Sequence, residues 1–245
     1  MQQKTILTIA ITAVLTTLCI CLILTGGIGL GLGLTGKLDT LVATSVPPAT
    51  AVLAHKPPER PLARGQLLWQ DDFSRRQWAE HNDNDHRKGY ADEQYFIAVE
   101  VSDYSFWSVS GNSYQDFVLE VDTIRLEGPE NNDYGLVLRY QNDANFYSFE
   151  ISSDGFYTFT KLVEGELYEI IPWQQSEAVH LGSGHNTLRV EAVGANFTFY
   201  INDELVDAAI DSEFAAGDIG LVAGTYQETG THIAFDNLKV WGAEK

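Results

Sequence analysis

Cysteine is confined to Cys19 and Cys21, so everything after residue 21 must fold without a disulfide. A domain of about 180 residues buries enough surface to do so, and the missing staples do not exclude an extracellular location. Leu18 is too bulky to precede a lipoprotein acylation site, which leaves Cys19 and Cys21 as buried thiols or palmitoylation sites. Basic residues are also scarce, with 15 Lys and Arg against 34 Asp and Glu and a net charge of −19. Lys4, Lys37, Lys56, Arg60 and Arg64 precede residue 66 and face only Asp39 and Glu59 there, so the remainder is more acidic still. A surface of that sign repels phosphate backbones and excludes nucleic acid as a partner; it suits cations and tolerates neutral glycans.

What is present divides the chain into unlike parts. After a short N-terminus of residues 1–4, no charge occurs from Thr5 to Gly36, and Ile6 to Leu24 is almost continuously apolar. A helix of about 20 such residues spans a bilayer, whereas a signal-peptide core runs to roughly 7–15. Residues 5–36 are therefore expected to form a single transmembrane anchor, with Lys4 holding the N-terminus in the cytoplasm and the rest of the chain outside. Secretion after cleavage is the alternative, Ala49-Thr50-Ala51 having a small-x-small form. Gly27 with Gly31, and Gly29 with Gly33, are four apart, a spacing that suits either helix self-association or a flexible exit from the bilayer. Residues 37–65 hold five of the seven prolines and predict a semi-rigid spacer.

Residues 66–245 change to alternation and turns. Segments 94–101, 116–126, 134–141, 145–152, 156–163, 186–194, 196–206, 217–223 and 232–241 read as strands, separated by turn formers such as Ser-Asp-Gly and Gly-Ala-Asn. No comparable run has helical period. Strands in that number predict an all-β, two-sheet antiparallel sandwich, since a single sheet would leave one apolar face exposed. Setting Tyr140 opposite Tyr147 puts Leu136, Leu138 and Tyr140 on one face with Tyr147, Phe149 and Ile151. Arg139 and Glu150 then become neighbours on the outward face.

The stretches WQDDFS (69–74), YGLVLRYQNDANFYSFEISSDGFYTFTKL (134–162), FYINDELVDAAIDSEFAAGDIGLVA (199–223) and FDNLKVW (235–241) resemble the concanavalin A-like lectin/glucanase superfamily. The nearest resemblance is to the bacterial domain family named for 3-keto-disaccharide hydrolases. It implies a jelly roll with a concave sheet that commonly faces glycan, and it leaves the chemistry open, because such folds host lectins, glycosidases and adhesion domains alike.

In LEVDTIRLEG (119–128), Glu120 and Asp122 share a strand face and fit the opening of the Glu-x-Asp-x-x-Glu pattern of β-glucanases in that superfamily. The closing Glu is missing, position 124 being Ile and position 125 Arg. Glu127 would lie roughly 23 Å from Glu120 along an extended strand, against the carboxyl separations of about 5–9.5 Å that glycoside hydrolysis uses. Both residues are expected on a solvated outer face, and no catalytic residue is assigned.

HNDNDHRKG (81–89) gathers His81, Asp83, Asp85 and His86, but as a calcium loop it has Lys88 where Gly is needed, and as a zinc site it offers no evident third ligand. It reads as a solvated loop. No cofactor is required, and a structural calcium is expected, if anywhere, where the first and last strands meet, from Asp71 or Asp72 with Asp236, residues that otherwise make turn hydrogen bonds.

Sugar contact calls for aromatic faces with polar groups beside them, and Trp107, Tyr134, Trp173, Arg139 and Glu150 are the candidates. The sequence thus predicts a membrane-anchored extracellular sandwich that binds carbohydrate or another surface ligand without catalysis. A glycoside-processing hydrolase and an adhesion module with a protein partner are the alternatives.

Overall fold

The computed structural model describes residues 64–244. The expected membrane span, Gly-rich stretch and nearly all of the proline-rich spacer lie outside the described residues, among which no helix is long and apolar enough to cross a membrane. Fifteen strands run in chain order: β1 Arg64–Asp71, β2 His81–Asn82, β3 His86–Ala91, β4 Gln94–Val99, β5 Ser105–Tyr114, β6 Phe117–Glu127, β7 Asn132–Asn142 and β8 Asn145–Ile151. They continue as β9 Phe156–Val163, β10 Glu166–Gln175, β11 Asn186–Val193, β12 Asn196–Ile201, β13 Glu204–Ile210, β14 Gly217–Thr225 and β15 Thr231–Ala243. The segment expected as one strand over 196–206 is two, because Asn202 and Asp203 adopt φ of 52° and 66° and close a two-residue hairpin. Paired positive φ values are what the right-handed twist of the flanking strands requires of so short a turn. Asp92 and Glu93 make the same turn between β3 and β4.

The strands form two antiparallel sheets packed as a sandwich. One has nine strands in the order β13-β12-β11-β6-β15-β4-β3-β2, with β1 also paired to β15; the other has six in the order β10-β9-β8-β7-β14-β5. Alternation decides which side chains meet between them. Phe117, Leu119 and Val121 of β6, Leu188 and Val190 of β11, and Phe197 and Phe199 of β12 point inward from the larger sheet. They meet Tyr134, Leu136 and Leu138 of β7, Phe149 of β8 and Phe159 of β9. Phe199 bridges the two layers with its ring 4.7 Å from that of Phe149 and 4.5 Å from that of Phe159.

The β7–β8 hairpin departs from the expected register. Leu138 faces Tyr147, Leu136 faces Phe149 and Gly135 faces Glu150, a slide of two residues that keeps Leu136, Leu138, Tyr147, Phe149 and Ile151 on the core side. Beyond Leu138 the register breaks at Arg139, whose φ is 49°. This bulge turns Arg139 inward and Tyr140 outward, the reverse of the expected faces. Arg139 is fully buried. Its Nη1 donates to the Phe214 carbonyl at 2.8 Å, its Nη2 to those of Gln115 at 3.0 Å and Gly194 at 2.8 Å, and the guanidinium lies 4.8 Å over the Phe197 ring. It is therefore not the cross-strand partner of Glu150.

Replacing Arg139 by Met keeps most of the volume but leaves three carbonyls without their donor. The expected loss is about 3 kcal/mol, because buried acceptors lose charge-assisted partners. Urea unfolding reads it as a lower midpoint at unchanged slope; an unchanged midpoint would show that the bulge does not depend on the guanidinium.

Candidate functional site

The side of the six-stranded sheet turned away from the larger sheet carries a polar centre between aromatic groups. One row crosses five strands: Trp107 of β5, Val222 of β14, Gly135 of β7, Glu150 of β8 and Thr158 of β9 stand opposite one another in turn. In the next row Ser105, Gly224 and Asp133 are opposite one another. The two glycines make the arrangement possible. A Cβ on Gly224 would run into the Asp133 carboxylate and Ser105 Oγ, and one on Gly135 would meet the backbone of Phe149 and Glu150. With both absent, the Asp133 carboxyl lies within hydrogen-bonding reach of Glu150, and Ser105 Oγ donates to Asp133 Oδ2 at 2.9 Å.

Asp133 is 4% exposed and Glu150 9%. Burial, and secondarily the neighbouring Glu150 carboxyl, push Asp133 well above the usual carboxylate range. Tyr226, just past the end of β14, is pushed up by burial and by the same two carboxyls, and its ring meets Trp173 of β10 edge-on at 6.4 Å and 75°. Further polar contacts line the face: Ser148 and Thr160 share a hydrogen bond of 2.8 Å, and Thr158 Oγ1 donates to the Ile171 carbonyl at 2.8 Å.

Toward β5 the face becomes apolar. Phe146, Val137, Leu162 and Val222 are buried beneath Trp107 and Tyr140. Trp107 Nε1 and the Tyr140 hydroxyl both donate to Asp143 Oδ1, at 3.0 Å and 2.7 Å, which fixes both rings. The bulge at Arg139 is what delivers Tyr140 to this side.

Of the residues expected to contact ligand, Trp107, Glu150 and Trp173 lie on this face, the first and last half-buried. Tyr134 is fully buried between the sheets and Arg139 at the end of the core, so neither belongs to the face. The sequence reading missed Asp133, Tyr140 and Tyr226. A signal for Asp133 existed in the alternation, which puts it on the outward face two residues before Gly135, but its neighbourhood to Glu150 follows only from the observed register.

The acidic stretch of β6 belongs to the other sheet. Glu120 pairs with Arg64, and Asp122 accepts from Thr187 Oγ1 at 2.6 Å and Asn237 Nδ2 at 3.0 Å. These are structural contacts on half-buried side chains. At the expected calcium position β1 does pair with β15. Asp71 is occupied there, with Oδ1 accepting the Phe73 amide at 2.8 Å and Oδ2 the Trp78 indole at 3.0 Å. Asp72 caps Ser74, and Asp236 is raised by burial and by the nearby Asp122 and Asp72 carboxylates.

Residues 69–241 match the family described as the 3-keto-alpha-glucoside-1,2-lyase-like domain. No curated protein matches the chain. Among solved structures, the carbohydrate-binding module CBM66 from Bacillus subtilis superposes with a TM-score of 0.57 at 22% identity, covering 68% of this chain and 96% of that one. The catalytic domain of an endo-1,3-beta-glucanase (laminarinase) from Thermotoga petrophila superposes at 0.53 with 12% identity, covering 74% and 98%. A mixed-linkage glucan GH16 protein of Bacteroides ovatus does so at 0.52 with 10% identity, covering 71% and 99%. At these identities the likeness is one of fold.

Asp133 sets a pH dependence. Its folded pKa lies above the ordinary value near 3.8, so the folded state binds the proton more tightly and stability falls as pH rises from that value through the folded pKa. Asp133→Asn retains the shape and can still donate to Glu150. The variant is expected to melt higher than the parent at pH 7–8 and close to it at pH 4; equal differences at both pH values would show that Asp133 ionises normally.

Proposed function

The chain belongs to the 3-keto-alpha-glucoside-1,2-lyase-like domain family, and from that premise we propose that its sandwich is a non-catalytic module that binds carbohydrate on the outer face of the six-stranded sheet. The observation that carries this reading is the placing of two half-buried tryptophans, Trp107 and Trp173, on one face, the first with the exposed Asp143 carboxylate fixed beside its ring. Sugars offer apolar C–H faces edged by hydroxyls, and a ring beside fixed polar groups meets both. A purely structural module has no need of half-buried indoles gathered on one side. In this proposal residues 5–36 anchor the domain to the cell membrane, with self-association through the Gly-rich stretch, and residues 37–65 hold it outside the cell. A structural calcium at Asp72 and Asp236 is an optional part of the same reading; if it binds there, a chelator lowers the melting temperature.

A second reading is favoured by one feature. Asp133, its pKa raised by burial, beside Glu150 is the kind of carboxyl pair that glycoside-processing enzymes use for acid and base steps. Against it stands the near-complete burial of both groups, which keeps them from a reacting bond.

Affinity electrophoresis through native gels containing a panel of polysaccharides, followed by staining for polysaccharide, separates the readings. Retarded migration without clearing is expected. Trp107→Ala or Trp173→Ala should weaken it by about ten-fold, the scale of one lost ring contact. Clearing that disappears in Glu150→Gln would establish the enzyme. No retardation of the folded chain in any gel would sink the polymer-binding proposal and point to a small glycoside or a protein partner.

A further inference from the structure

The β2–β3 hairpin brings together three side chains of another chemistry. His81 and Asn82 pair with Lys88 and Arg87, which closes residues 83–86 into a tight turn. Asp83 organises it: Oδ1 accepts the amides of Asp85 at 3.0 Å and His86 at 2.9 Å, and the Asp83 amide donates to the His86 carbonyl at 3.1 Å. The same carboxylate then reaches both histidines, with Oδ2 at 2.7 Å from His81 Nε2 and Oδ1 at 3.5 Å from His86 Nδ1. One donor atom from each of the three residues lies within 4.8 Å of the others. The third ligand missing from the sequence reading is thus the aspartate between the two histidines.

Two further features distinguish this cluster from a solvated loop. The rings are held by packing: His81 stacks on His86 at 4.3 Å and 14°, and His86 on Phe106 of β5 at 3.8 Å and 8°. His86 is therefore largely enclosed, its side chain 13% exposed. Its Nδ1 is buried and has no hydrogen-bond partner. Folds rarely bury an imidazole nitrogen without using it, and here the nitrogen faces a carboxylate and a second imidazole.

We propose that His81, Asp83 and His86 form a binding site for a divalent first-row transition metal ion of the zinc type. Two imidazoles and one carboxylate are a borderline donor set that suits Zn²⁺ and its neighbours, whereas Ca²⁺ requires a shell of oxygens. Donors at about 2.0–2.2 Å from a tetrahedral ion stand about 3.4 Å apart, so the His81 and Asp83 atoms at 2.7 Å part slightly while the remaining separations, none above 4.8 Å, adjust by small ring rotations on a turn already drawn together. Three protein ligands leave one position for water or a ligand atom. His81 also lines a surface groove of about 430 Å³ with Glu80, Arg87 and Tyr90, from which such a ligand can approach. The site is independent of the carbohydrate face and stands or falls separately from it.

The test uses the untagged full-length chain in mild detergent, stripped with chelator, dialysed against Zn²⁺ and assayed for bound metal. One equivalent is expected in the parent. At least ten-fold weaker binding is expected in His81→Ala and in His86→Phe, which keeps the stack on Phe106. Asp83→Asn, which keeps the turn, is also expected to weaken binding, and His185→Ala, beside Asp122 elsewhere, to leave it unchanged. Co²⁺ provides a readout that needs no variant: visible bands without thiolate charge transfer, displaced by Zn²⁺ but not by Ca²⁺, exclude Cys19 and Cys21 as the donors. No bound metal in the parent, full binding in folded His81→Ala and His86→Phe, or thiolate-type Co²⁺ bands accounting for the bound equivalent would overturn the assignment.

Discussion

The guanidinium of Arg139, enclosed at one end of the sandwich, governs more of the molecule than its single position suggests. A buried charge must have its donors engaged, and Arg139 engages three backbone carbonyls, from the β5–β6 turn, the β11–β12 turn and the loop before β14. To reach them β7 has to bulge, and the bulge inverts the alternation for the residue that follows. Tyr140 consequently leaves the core side and joins Trp107 and Phe146. The charge that ties down the sandwich end thus also decides which rings the outer face displays.

The same face shows how a buried polar arrangement and stability oppose each other. Asp133 and Glu150 occupy space opened by Gly224 and Gly135, positions where any side chain would collide with a neighbour. Small residues at the centre of a sheet sacrifice β propensity and packing, and burial disfavours ionising Asp133. Folds accept such losses where a polar group must be held in place. The core beneath, where the phenylalanines of β8, β9 and β12 stack across the layers, supplies the stability that covers them.

The central strands were legible in the sequence because each packs on two neighbours and one buried face, which imposes strict alternation. The strands that escaped reading lie largely at sheet borders. SFWSVSGNSY becomes β5 at one edge of the six-stranded sheet, with Gly111 at φ 81° in a bulge whose amides bind the Asp218 carboxylate. ELYEIIPWQQ becomes β10 at the other edge, where Pro172 is tolerated and two register shifts erase the period of two. Trp173 is therefore legible by residue type alone. Arg139 and Tyr140 were assigned to the wrong sides because a single left-handed residue in a strand leaves no mark in hydropathy. The family resemblance, by contrast, rested on strands throughout residues 69–241 and was legible from them.

β10 has one more consequence, for the behaviour of many copies rather than one. Among the described residues it ends its sheet, and it exposes Leu167 and Tyr168, the features by which strands of separate molecules join. Pro172 interrupts that edge, and Glu164, Glu166 and Glu169 line its first half with negative charge. The guard is electrostatic as much as geometric, so it depends on the carboxylates staying ionised. Near the isoelectric pH of about 4.5 the repulsion between copies lapses. The acidity that keeps the domain dispersed in neutral surroundings thus makes acid the condition under which its own edge becomes adhesive.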